Sequence, residues 1–219
     1  MNKKRILFLI IIVFAVILLY IFKYFGYIPT KSYSSEELGI KDIKSDIDKD
    51  KDGIDDYTDI MLGAREYVMT KPKYKSAYYK DGYPPKGEGV CTDVIWYAFK
   101  KAGYDLKDLV DYDIKNNIKE YYRVEGNPDP NIDFRRVPNL LVFFRMNALS
   151  LTKDITKVDQ WQPGDIITFS DSHIGIVSDK RTKNGEVFII HQSKFEKKEV
   201  YAMYRYNDIS GHFRWINKK

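Results

Sequence analysis

Cysteine is almost absent from this chain: one residue, Cys91, in 219. A single thiol cannot close an internal disulfide, so no cross-linked framework holds the fold. Histidine is nearly as scarce, with three residues. No C-x-x-C or H-x-x-H spacing occurs, which leaves zinc without its usual ligand pairs. Internal repeats and low-complexity tracts are missing as well. Excess charge is also lacking. Of the formal +5, Lys3, Lys4, Arg5 and Lys23 supply four, so the remainder is close to neutral. A surface of interspersed signs gives no electrostatic footprint for nucleic acid.

What is present is a folding composition, with 44% hydrophobic and 15% aromatic residues. The length allows one ordinary domain with a core of its own, plus a small addition. The addition is at the N-terminus. Ile6 to Phe22 is an unbroken apolar run bracketed by Arg5 and Lys23. As a helix it reaches roughly 25 Å, and Tyr24, Phe25, Tyr27 and Ile28 extend it at headgroup level. The bulky flank after Lys23 lacks the small residues of a signal-peptide cleavage site. The expectation is a single-pass membrane anchor over residues 1–29, uncleaved, with its basic tip in the cytoplasm and the rest outside the cell membrane. Residues 30–45 read as a polar stalk, 46–60 as an ion-binding loop, and 61–219 as the main domain.

Within that domain, apolar spacing predicts helices over 91–102 and 106–121, and 57–68 and 139–146 also read as helices. Short strands are expected at 166–169, 174–178, 186–191, 199–204 and 212–216. Helices followed by an antiparallel sheet imply an α+β class, preceded by the transmembrane helix.

The acidic segment from Asp48 to Asp59 carries the strongest local motif. Asp48, Asp50 and Asp52 at positions 1, 3 and 5, Gly53 at 6 and Asp59 at 12 match a calcium loop. Ile54 would add a backbone carbonyl, and Asp56 would bind through water. One structural Ca2+ is expected. The plainer alternative is a solvated acidic linker.

Cys91 opens a predicted helix, where free N–H groups and the macrodipole favour a thiolate and can receive an oxyanion. His173 and His191 end two strands joined by a turn-rich segment. A symmetric hairpin puts Ser178 opposite Glu186 and His173 opposite His191, on one face. One ring then orients the other, giving a Cys91–His173–His191 relay for acyl transfer. His212 has no such partner and reads as structural. The competing view of Cys91 is a buried apolar residue.

The run from Pro163 to Phe169, followed by His173-Ile174-Gly175-Ile176-Val177, resembles the NlpC-type papain-like cell-wall peptidases. In that superfamily a cysteine opens a helix, a histidine starts a strand, and a polar residue follows on the next strand. Cys91, His173 and His191 match that order. A closer resemblance is to domain-of-unknown-function family 1287. It rests on Gly89-Val90-Cys91-Thr92-Asp93, on the stretch from Pro128 to Leu140, and on Trp161-Gln162-Pro163-Gly164-Asp165-Ile166. Val90-Cys91-Thr92 departs from the NlpC pattern of an acid before the cysteine and small residues after it. The resemblance implies a papain-like fold and a cysteine peptidase or amidase acting on peptidoglycan peptides, as a monomer. Arg135 and Arg136 are candidate clamps for a substrate carboxylate, the competing view being structural salt bridges. The rivals are an acyltransferase or amidase on another substrate, and a calcium-dependent wall-binding module.

Overall fold

The computed structural model describes residues 2–24, 27–194, 197–203 and 208–216. The chain divides into two compact units, Met1–Lys31 and Ser32–Lys219. The first holds helix α1 (Lys3–Tyr24), none of whose residues is buried. Its most apolar 18-residue window has a mean hydropathy of 3.1. At 1.5 Å per residue it spans about 33 Å, so by length and composition it can cross a membrane.

The second unit mixes helix and sheet. Its helices are α2 (Asp56–Met69), α3 (Cys91–Lys101), α4 (Leu106–Asn116) and α5 (Val137–Asn147). Strands β1 (Lys73–Tyr74) and β2 (Glu88–Gly89) form a short parallel pair that the sequence pattern does not foreshadow. The main sheet contains β3 (Leu149–Ser150), β4 (Ile166–Phe169), β5 (His173–Arg181), β6 (Val187–Gln192), β7 (Lys197–Val200) and β8 (Ile209–Arg214). Its order is β3-β8-β4-β5-β6-β7, and every pairing is antiparallel. Helices come first in the chain and the sheet follows, as the apolar patterning requires.

Local chemistry explains most of the boundaries. The Asp55 side chain accepts the Thr58 N–H and starts α2. Asp105 does the same for Asp108 at α4. Pro138 sits in the first turn of α5, where its missing N–H costs nothing. The buried stripe of α3, Val94, Ile95, Ala98 and Phe99, packs into one core with Ile60, Ala64, Ile174, Ile176 and Ile190. Helix α4 stops at Asn116 rather than 121. The chain then tightens into two 3-10 turns, because Tyr121 turns inward and its hydroxyl bonds Asp113.

The segment expected to be a stalk is instead strapped onto the domain. Tyr33 pairs with Arg181 through an antiparallel bridge. Ile43 N–H donates to Gln162 Oε1 at 2.9 Å, and Gln162 Nε2 returns to the Lys41 carbonyl at 3.2 Å. Residues 32–60 therefore belong to the same compact unit as the rest. The knot of this strap is Arg181, fully buried at the end of β5. Its guanidinium donates to Ser35 Oγ at 2.9 Å, Val158 O at 2.8 Å, Gly185 O at 2.9 Å and Trp161 O at 2.7 Å. Burial lowers its pKa, and the charges of Asp42, Asp159 and Asp165 oppose that.

Only a planar fork reaches four acceptors spread in this way. Arg181→Lys keeps the charge but leaves buried carbonyls unpaired. It should lower unfolding stability by about 2–4 kcal/mol in denaturant titration. A change below about 0.5 kcal/mol would show that the knot is dispensable.

Candidate active site

Cys91 is the first residue of α3 and is 7% exposed. The helix start is fixed by Asp93, whose Oδ2 accepts the Val90 N–H at 2.7 Å. This is the returning half of a capping box; valine cannot supply the other half. Asp93 does more than cap. Oδ1 accepts from Trp96 Nε1 at 2.9 Å and from Arg135 Nε at 2.8 Å, and Oδ2 accepts from Arg135 Nη2 at 2.9 Å. Both side chains of this ion pair are almost fully buried. Arg135 Nη1 also donates to the Ala77 carbonyl at 3.0 Å, and Thr92 Oγ1 donates to the Arg135 carbonyl at 3.1 Å.

Arg135 therefore has no free edge for a substrate carboxylate; it braces the helix that carries Cys91. Arg136 pairs with Asp133 at 2.9 Å and is about one-third exposed. Both arginines make ion pairs, the structural one of the two readings, and for Arg135 this leaves no room for the clamp. For Arg136, Asp133 is a neighbour three residues back in the chain, whereas Asp93 comes within reach of Arg135 only after folding.

The sulfur lies against the N–H groups of Ile174, Thr92 and its own residue, each of which favours the thiolate. Burial outweighs them, the Asp93 charge adds to it, and the thiol is pushed up to about 11. The helix start alone predicts a thiolate, but its surroundings hold a thiol. Ile174 follows directly on His173, so the sulfur sits at the mouth of β5. Tyr67 and Tyr74 stand close enough to feel it. Burial raises the Tyr74 phenol first, and the Cys91 charge adds to that.

His173 Nε2 and His191 Nδ1 are 2.7 Å apart, with ring planes at 80°. The pairing expected from sequence thus exists, but the register differs. Ile176 faces Ile190 and Val177 faces Ile189, which extends to Gly175, not His173, opposite His191. A bulge between Val177 and Arg181 and a tight turn at 182–186 absorb the shift. The slip is two residues, so both rings stay on one face. Gly175 makes the diagonal contact possible: a Cβ there would lie 3.2 Å from His191 Cβ and 2.7 Å from Ile189 Cγ2. Burial, then the His191 charge, holds the His173 pKa down to about 3.

Gln192 was not legible as part of the site. Its Nε2 donates to the Gly89 carbonyl at 2.8 Å and to Pro72 O at 3.3 Å, tying β6 to the strand before Cys91. No local spacing marks that long-range bond. His212 is structural: Nδ1 meets Thr152 O at 2.6 Å, Nε2 meets Asp165 Oδ2 at 2.9 Å, and the ring stacks on Trp161. Asp165 also takes Arg214, so the turn residue is the hub of a buried charge cluster. A cavity of about 570 Å³ between Tyr83, Trp96, Lys100 and Tyr104 includes none of Cys91, His173 and His191.

In the acidic segment, carboxylate oxygens of Asp48, Asp50 and Asp52 lie within 4.8 Å of one another. Asp56 departs from the expected water-mediated role. It is buried, accepting the Lys49 N–H at 2.8 Å and the Tyr104 hydroxyl, because α2 begins there and turns it inward.

Three comparisons bear on identity. The family described as a domain of unknown function (DUF1287) matches residues 61–215. The uncharacterized protein YijF of Escherichia coli (strain K12) is 33% identical over 170 residues, spanning 73% of this chain and 82% of that one. No solved structure gives a significant match. On the extent of the family match and of this relative, the chain belongs to the DUF1287 family.

Proposed function

We propose that this protein is a cysteine hydrolase that cleaves an amide bond through a Cys91 acyl-enzyme, with His173 as base and His191 as the ring that orients it. The observation that carries this reading is the 2.7 Å contact between His173 Nε2 and His191 Nδ1, one residue from the N–H that touches the Cys91 sulfur.

The tautomers follow from that contact. For His173 to accept a proton at Nδ1, its Nε2 must carry the hydrogen and donate it to His191 Nδ1. His191 is then protonated at Nε2. When His173 gains a second proton, the same bond strengthens, because a cationic donor now faces a neutral acceptor.

The proton of Cys91 passes to His173 as the sulfur–carbon bond forms on the substrate carbonyl. The N–H groups at the start of α3 receive the oxyanion. The intermediate collapses, the carbon–nitrogen bond breaks, and His173 gives its proton to the leaving amine. Water, deprotonated by His173, then hydrolyses the thioester. With the thiol pushed up and the imidazole held down, the resting pair is neutral and charge develops only during reaction.

The papain-like, NlpC-type fold belongs to this proposal, supported by the order cysteine-helix, histidine-strand, histidine-strand. So does the setting. The basic cluster Lys3, Lys4 and Arg5 at one end of an apolar helix supports a cytoplasmic tip with the domain outside the cell membrane. The substrate class that fits this location is the peptide part of peptidoglycan, attacked by a monomer. A second reading, a non-catalytic wall-binding module, is favoured by the burial of Cys91.

Mass spectrometry of fragments released from isolated cell-wall material separates the two. Cys91→Ala should lower release by at least 10³-fold, and His173→Ala by a similar factor. Equal release from wild type and Cys91→Ala would eliminate the hydrolase.

The titration of His173 gives a second check. Unfolded histidine binds its proton near pH 6.5, whereas the folded residue stays neutral to about pH 3. The folded pKa is depressed, so its stabilising contribution is complete above pH 6.5. It is lost as pH falls toward 3, by about 1.4 kcal/mol per unit. Asp59, buried and pushed up to about 6, titrates in the same window with the opposite sign, so the slope is read in an Asp59→Asn background by denaturant unfolding between pH 6.5 and 5. His173→Gln should flatten it.

A further inference from the structure

We propose that residues 48–59 form a calcium site that braces the start of α2 against the turn after α3. The carboxylates of Asp48, Asp50 and Asp52 converge, but hydrogen bonds inside an acidic turn explain that much without an ion. The independent observation is Asp59. It lies one turn into α2, is 1% exposed, and neither of its carboxylate oxygens has a hydrogen-bond partner. The nearest cation, Lys101 Nζ, is 3.9 Å from Oδ1 and 3.6 Å from Asp52. A buried carboxylate without donors is costly, and a native chain keeps one where something else neutralises it. Lys101 Nζ touches both Asp52 and Asp59, which places this unpartnered carboxylate beside the loop acids.

The geometry suits a hard divalent cation. Calcium binds oxygens at about 2.3–2.6 Å, so ligands on opposite sides of one ion stand about 5 Å apart. The three loop carboxylates fall within that limit. Gly53, at φ 93°, makes the sharp turn that returns the chain, and its N–H donates to Asp48 Oδ2 at 2.9 Å. Asp48, Asp50, Asp52 and Asp59 with the Ile54 carbonyl are five oxygen donors, and water would complete the shell. All are oxygens, which disfavours zinc or copper. Asp50 lies against Gly103, the residue that ends α3's run, where an added Cβ would come within 2.9 Å of Asp50 Cβ. An ion here would therefore fix the loop, α2 and the far end of the helix that begins at Cys91.

The test uses the full chain in detergent, stripped with EDTA, with thermal unfolding in buffer, in 10 mM CaCl2 and in 10 mM MgCl2. At the 10⁻⁴–10⁻³ M dissociation constants of extracellular modules, calcium should raise the folding constant by roughly 10- to 100-fold, a shift of several degrees in Tm. Magnesium should give less. Asp59→Asn should melt no lower than wild type in EDTA, since it removes a buried unpaired charge, and should lose the calcium shift. Asp50→Asn, on the exposed side of the cluster, should keep the fold and weaken the shift. Cys91→Ala should retain it in full, so this proposal stands or falls apart from the hydrolase. Equal shifts for both ions, or an undiminished shift in Asp59→Asn, would mean charge screening and would overturn the site. So would no shift in wild type.

Discussion

The buried ion pair between Asp93 and Arg135 is the constraint on which the surroundings of Cys91 depend. One carboxylate caps the helix that begins at Cys91, holds Trp96 and receives a bidentate guanidinium. Arg135 in turn fixes the 70–89 segment through Ala77. Removing one member of such a pair strands the other, typically at a cost of about 3–5 kcal/mol. The pair therefore works as a positioning device. It sets where the first turn of α3 points, and with it the sulfur and the free N–H groups.

The sheet meets that helix with two histidines. Gly175, opposite His191, lets β5 and β6 close up here, because an added Cβ would press on Ile189 Cγ2, the Ile190 carbonyl and His191 Cβ. Gln192, next to His191, reaches back to the carbonyl of Gly89 and ties the sheet to the segment that leads into Cys91. Cys91 is thus held from two sides, by the ion pair that ties α3 to the 133–135 turn and by the amide that ties β6 to Gly89, two residues before it. The burial that makes this arrangement rigid also keeps the thiol and the imidazole neutral.

Away from this centre, buried charge is handled in three different ways. Asp165 is matched by Arg214 and His212. Arg181 is satisfied almost entirely by carbonyls. Asp59 has no such partners, and its difference from the other two singles out the acidic loop.

Sequence alone determined what is local. Apolar spacing of 3.6 residues placed α3 and α4, short continuous apolar runs placed β4 and β6, and the N-terminal run gave a helix long and apolar enough to cross a membrane. Cysteine scarcity drew attention to Cys91, and two strand-end histidines gave the partners. Contacts across large sequence separations were decided only by the tertiary structure. The His173–His191 register turned on a bulge and on a glycine, neither of which hydrophobic alternation encodes. Arg135 changed from ligand clamp to brace because Asp93, 42 positions earlier, is its neighbour in space. The stalk became a strap because Arg181 needed acceptors that residues 35, 158, 161 and 185 jointly supply. Periodicity reports which face of an element is buried, whereas the partner of a buried charge depends on the path of the whole chain.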